Sequence, residues 1–196
     1  MKKDSILLTP AQGRKLVKLA RDTIRKRLFG GVGKEDDKGE IEPEFLKKQG
    51  VFVTLHKRGE LRGCIGHIIG HLPLWEGVRE NALNAAFSDP RFMPLSPEEF
   101  EDIDIEVSVL TEPVPLIYGS VEELLDKLRP GRDGVIIKKG GHQATFLPQV
   151  WQQLPDKESF LSHLCIKASL PPNEWKKGDL EVYTYEVQSF SEDDPL

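Results

Sequence analysis

The 196-residue chain has only two cysteines, two methionines and three tryptophans. It has no apolar run long enough to span a bilayer. Two cysteines, Cys64 and Cys165, cannot build a disulfide framework and fit free thiols in a reducing cytoplasm. The leading Ile6-Leu7-Leu8 is too short for a signal-peptide core. Positive charge is not in excess: 27 Lys and Arg stand against 32 Asp and Glu, a net charge of −5. Bulk electrostatics therefore offer no attraction for nucleic acid or an anionic membrane. Repeats, heptads and low-complexity tracts are missing, as are a dinucleotide fingerprint after a strand and a serine nucleophile elbow. Gly30-Gly31-Val32-Gly33-Lys34 resembles a phosphate loop only superficially: it follows a helix, and Glu35 stands where Ser or Thr is needed. The expectation is a soluble cytoplasmic protein of one domain, residues 1–196.

What is present is a clear alternation of strands and irregularly placed helices. Thr9-Pro10-Ala11-Gln12 is a capping box opening a helix with apolar residues Leu16, Val17, Ala20, Ile24 and Leu28 at helical spacing. The other face of that helix is basic, a pattern that usually means solvation and that leaves nucleic-acid binding as a minor alternative. An acidic, glycine-rich surface loop is expected over 30–43. Val51–Leu55 and Leu61–His67 read as strands joined at Arg58-Gly59, and Pro73–Phe87 as a helix. Ile103–Leu110 alternates strictly and reads as a half-buried strand. Val135–Ile137 and Ala144–Leu147 form a second expected hairpin, Asp156–Leu170 a helix, and Leu180–Phe190 a closing alternating run. This order predicts an α+β fold of mixed or antiparallel sheet with flanking helices.

The candidate chemistry centres on Leu61-Arg62-Gly63-Cys64-Ile65-Gly66. Glycines in a strand mark a bulge or a close approach, and an arginine two residues away can favour a thiolate. Cys64 is thus either a small core residue or a nucleophile, whereas Cys165 falls in a helix stripe and reads as core. A two-residue turn at Arg58-Gly59 sets Val53 opposite Cys64 and Leu55 opposite Arg62, which places Cys64 on the face of Val51, Val53 and Leu55. His67 then points to the other face, and Glu106, on the polar side of its strand, is the available acid or base. Arg62, Arg91 and Arg132 at turns or strand ends could together select an anion, while each alone suits a local carboxylate such as Asp89 or Asp133. Cys64-x-x-His67 and His163-x-Cys165 offer four metal-binding atoms but not the spacing of a zinc finger, so no metal and no cofactor is expected.

Six stretches in order make the chain resemble the AMMECR family from end to end. They are Leu61–Gly66, Ala85–Phe92, Ile105–Leu110, Gly131–Val135, Thr145–Trp151 and Phe160–Cys165. The resemblance implies a larger and a smaller lobe with a cleft between them. That cleft would draw on Arg62, Gly63, Cys64, Gly66, Arg91, Glu106 and Arg132. It implies a cleft enzyme using Cys64 and Glu106 on an anionic substrate. The alternative it implies is a non-catalytic module working with Memo-like and radical S-adenosylmethionine proteins. Similar proteins often carry threonine at the position of His67, so the resemblance gives that histidine no shared role as a base.

Overall fold

The computed structural model describes residues 8–30 and 41–192, so most of the expected 30–43 loop and the leading Ile6-Leu7 lie outside the described residues. The chain forms two compact units, the first from the N-terminal part through Glu112 together with the segment from Gln188, the second from Pro113–Val187. Each holds one of two antiparallel four-stranded sheets, and the α+β class expected from the sequence is observed.

In the first unit, α1 (Pro10–Phe29) starts at the Thr9 cap, whose hydroxyl accepts the Gln12 N–H while the Gln12 side chain returns to the Thr9 N–H. Strands β1 (Gly50–Lys57), β2 (Glu60–His67) and β3 (Ile103–Leu110) give the sheet order β2-β1-β3-β8, with β8 (Val187–Ser191) as the far edge. Helix α2 (Leu74–Phe87) and α1 pack on one face of this sheet. There Val51, Val53, Leu55, Ile105 and Val107 are almost fully buried. Each such side chain removed from water contributes roughly 1.5–3 kcal/mol, which fixes that face of β1 and β3 inward.

The second unit has the sheet order β4-β7-β5-β6: β4 (Val114–Pro115), β7 (Glu181–Tyr185), β5 (Gly134–Lys139) and β6 (His142–Phe146). Helices α3 (Val121–Lys127) and α4 (Lys157–Lys167) complete it. Its core stacks Trp151 on Phe160 at 3.6 Å between ring centroids, beside buried Leu161, Leu164 and Cys165. The closing run Leu180–Phe190, read as one alternating stretch, divides at Glu186 into β7 and β8, which belong to different sheets.

The β1–β2 register corrects the sequence reading. The turn is a two-residue one, with Arg58 and Gly59 both at positive φ and Lys57 paired to Glu60. One step further the pairing slips: His56 faces Leu61, but Leu55 faces Gly63, which leaves Arg62 as the extra residue of a bulge. A slip of one residue exchanges the faces of the rest of the strand. Val53 therefore pairs with Ile65, and Cys64 pairs with Thr54, on the face opposite Val51, Val53 and Leu55.

Candidate functional site

Thr54 on β1 pairs with Cys64 on one side and with Glu106 on the other, so these residues form one row across three strands. The row lies on the sheet face away from α1 and α2, and all three side chains are half-buried. The Thr54 hydroxyl donates to the Cys64 Sγ at 3.3 Å. Ser108, next on the same face of β3, donates to Glu106 Oε1 at 2.9 Å and meets the Ser189 hydroxyl at 2.9 Å. Neighbouring strands lie about 4.8 Å apart, so Cys64 and Glu106 are separated by about 10 Å between their backbones. Glu106 therefore lacks the reach to take the thiol proton by direct contact, and the two groups instead bracket a space above Thr54.

The glycines of the motif serve packing. A Cβ on Gly63 would lie 2.2 Å from the Ala85 carbonyl oxygen, so its absence lets the end of α2 approach β2. A Cβ on Gly66 would lie 2.3 Å from the Phe52 ring, which covers that position.

Strand β2 is an edge strand, and its free edge at Cys64 is occupied by the Ser88–Phe92 turn that ends α2. The Asp89 Oδ2 accepts the Cys64 N–H at 2.9 Å, and the Arg91 Nη2 donates to the Cys64 carbonyl at 3.2 Å. Asp89 and Arg91 also bind each other through two bonds of 2.9 and 2.7 Å. The Asp89 side chain is 1% exposed and that of Arg91 is 53% exposed. The guanidinium, helped by the Cys64 and Arg91 N–H groups, holds the Asp89 carboxyl well below the usual range against the opposing effect of burial. The same bond to Asp89 raises Arg91, to which the nearby Cys64 thiol also contributes.

The other expected residues are placed differently. Arg62, on the bulge, turns to Glu99 with bonds of 3.2 and 2.9 Å and to the Met93 carbonyl at 2.9 Å. These bonds from Arg62, with one from Lys57, lower the Glu99 carboxyl to about 2. Arg62 and Arg91 both lie over the Phe92 ring, at 5.8 and 5.4 Å. Arg132 is in the second unit and pairs with Glu186 at 3.1 Å, while Asp133 is taken by Arg129. His67, expected on the face away from Val51, instead pairs with Val51 and faces α2, because the bulge reverses the faces of β2: its Nδ1 meets Asn81 Nδ2 at 3.3 Å and its ring lies 4.3 Å from that of His71. Burial first, and then His71, push the His67 imidazole below its ordinary value. Cys165 is fully buried, and burial raises its thiol.

Among the described residues no group of three or more His, Cys, Asp or Glu could hold a metal ion. Within the same residues no helix is long and apolar enough to cross a membrane. The basic face of α1 is largely engaged: Arg21 binds the Phe100 carbonyl at 3.0 Å and Glu192, Lys18 pairs with Asp22, and Lys15 with Glu42. Thr54 escapes the sequence reading and becomes visible only through the register. Asp89 reads as a local partner for an arginine, which it is for Arg91, but its bond to a backbone N–H 25 residues away escapes the sequence reading.

Known proteins match this chain over nearly its whole length. The AMMECR1 family model matches residues 17–190. A protein of Methanosarcina acetivorans is 44% identical over 96% of both chains. One of Methanothermobacter thermautotrophicus is 43% identical over 95% of this chain and 97% of its own. The crystal structure of an uncharacterised protein from Pyrococcus horikoshii superposes with a TM-score of 0.79 at 41% identity. That match covers 93% of this chain and 92% of the other.

Proposed function

We propose that this chain, which belongs to the AMMECR1 family, is a cysteine-dependent protein acting on the open face of its first sheet. The observation that carries the reading is the row Cys64–Thr54–Glu106, a half-exposed thiol facing a carboxylate across one intervening strand. Cys64 is the nucleophile in this reading. Its sulfur forms a bond to an electrophilic carbon of the substrate, the bond from that carbon to the leaving group breaks, and the thiol proton ends on the leaving group. Glu106, about 10 Å away across the row, takes no part in that proton transfer and acts as acid or base toward a group at the far end of the substrate. Thr54 holds the sulfur by its hydroxyl. Both nearby guanidiniums already meet carboxylates, Arg62 at Glu99 and Arg91 at Asp89, so the reading assigns no anion pocket. A cytoplasmic location, where thiols stay reduced, suits such chemistry.

The test is alkylation of the native protein with iodoacetamide at several pH values, located by peptide mass spectrometry. Cys64 is expected to be labelled in the folded protein while Cys165 is labelled only on unfolding. Protection of Cys64 equal to that of Cys165 would overturn the assignment. Glu106→Gln should leave labelling unchanged, since Glu106 does not touch the thiol, and should abolish turnover of any substrate found.

A second reading has its own support. Met93 is 81% exposed and Leu61 42% exposed, an apolar presentation beside β2 that suits a partner surface. A non-catalytic module binding Memo-like or radical S-adenosylmethionine proteins would use it. Loss of co-purification with such a partner on Met93→Asp, with Cys64→Ser still binding, would favour that reading.

A further inference from the structure

An edge strand ordinarily leaves its outward N–H and C=O groups to water. At Cys64 both are instead taken by charged side chains, the N–H by Asp89 at 2.9 Å and the carbonyl by Arg91 at 3.2 Å. Asp89 is almost completely removed from water, and burying a carboxylate is costly unless it is fully bonded. It is fully bonded here: its two oxygens accept from the Arg91 guanidinium, the Arg91 N–H at 3.1 Å and the Cys64 N–H. A lysine or a proline would protect an edge without that cost.

We propose that Asp89 and Arg91 are the positioning residues of Cys64, replacing the missing neighbour strand at its backbone and fixing the balance of charge beside its thiol. The inference rests on the reading of Cys64 as the reactive group. The two side chains form a neutral pair whose opposite charges meet the N–H and the carbonyl of one residue. Removing the carboxylate leaves an uncompensated cation near the sulfur and favours the thiolate. Removing the guanidinium leaves a buried anion and disfavours it. An anchor that served stability alone would loosen the strand in both variants and move the reactivity of Cys64 the same way in both.

The experiment is the rate of Cys64 alkylation by iodoacetamide, an uncharged reagent, in the full chain at pH 7 and low salt. Asp89→Asn is expected to react about three- to tenfold faster than the parent protein and Arg91→Met more slowly by a similar factor. Arg91→Lys, which keeps the charge, should return most of the parent rate. The opposite shifts should shrink in high salt. A parent Cys64 that is labelled while both variants share its rate, or move together, overturns the positioning role and leaves the reactive-cysteine reading standing. A parent Cys64 that is not labelled while folded overturns both. Should Asp89→Asn fail to fold, the contrast between Arg91→Met and Arg91→Lys decides alone, because the half-exposed Arg91 tolerates replacement more readily than the buried Asp89. Equal rates in that pair would overturn the inference.

Discussion

Each unit of this chain sets a strand glycine beside a buried aspartate that faces an arginine, and the two units use the arrangement differently. In the second unit Asp133, 2% exposed, accepts the Arg129 N–H at 2.9 Å and binds the Arg129 guanidinium, four residues away. The Asp133 carbonyl accepts the buried Trp151 indole N–H at 2.7 Å, and Gly134 makes room for the Tyr185 ring. Everything there closes a turn onto the core. In the first unit Asp89 binds Arg91 within its own turn but also reaches back to Cys64 on β2, and Gly63 admits the end of α2. The same chemistry thus closes a turn onto the core in the second unit and ties the turn after α2 to β2 in the first, beside a thiol that faces away from the core. A buried ion pair alone does not mark a site; what it holds in place does.

The comparison breaks or sharpens most strongly at the two glycines. A methyl at Gly63 would meet the Ala85 carbonyl oxygen at 2.2 Å, and that atom belongs to a helix packed on the sheet. At Gly134 the methyl would meet the Tyr185 ring at 2.4 Å, and a ring can tilt. Gly63→Ala should therefore cost about 3 kcal/mol or more in urea unfolding, and Gly134→Ala about 1–2 kcal/mol. Equal losses would mean that the α2 end yields as easily as a side chain, and the close approach would lose its significance.

Much of this fold could be read from local chemistry, because local chemistry causes it. The Thr9–Gln12 box, the Arg58-Gly59 turn and the strict alternation of Ile103–Leu110 each depend on residues a few positions apart. The bulge at Arg62 does not. Gly63 beside it fits a bulge or a close approach equally well and does not say which residue is extra, yet the bulge decides which face Cys64 takes. With the regular register Cys64 joins the core face, and its row with Thr54 and Glu106 is invisible. The pairing of Asp89 with an arginine was legible, but its reach to Cys64 was not, for a different reason. Its distant partner is a main-chain N–H, a group every residue but proline possesses, so no residue type in the sequence announces the bond. Arg132 shows the limit of sequence adjacency: it passes over neighbouring Asp133 for Glu186.

Acid offers an intermediate test of how the first unit holds its bulge. Glu99, lowered to about 2, is charged in the folded chain well below the pH at which an unfolded glutamate takes up a proton. Its folded value is depressed, so the stabilisation from Arg62 and Lys57 is complete above the unfolded value. It is lost as pH falls from there toward 2. The parent protein should accordingly lose about 1–3 kcal/mol more than Glu99→Gln between pH 5 and pH 3 in urea titrations. Glutamine keeps the oxygen that accepts the Ser96 N–H, so the turn after Met93 should remain capped. Parallel pH profiles for the two proteins would show that the bulge is held by packing around Phe92 and not by this ion pair.

The smallest effects separate the two cysteines. Cys165 is fully buried among Trp175 and the α4 core, and Cys165→Ala leaves a small cavity there, at a cost of about 1–2 kcal/mol. Cys64 is half-buried and gives up only the weak bond from Thr54, because Asp89 and Arg91 hold its backbone and not its sulfur. Cys64→Ala should cost less than about 0.5 kcal/mol, a shift of the thermal midpoint by a degree or two at most. A loss that small would fit a thiol that serves chemistry and not packing. A loss at Cys64 equal to that at Cys165 would instead make both cysteines packing residues, and the exposed Met93 and Leu61 would become the better guide to what this face of the protein is for.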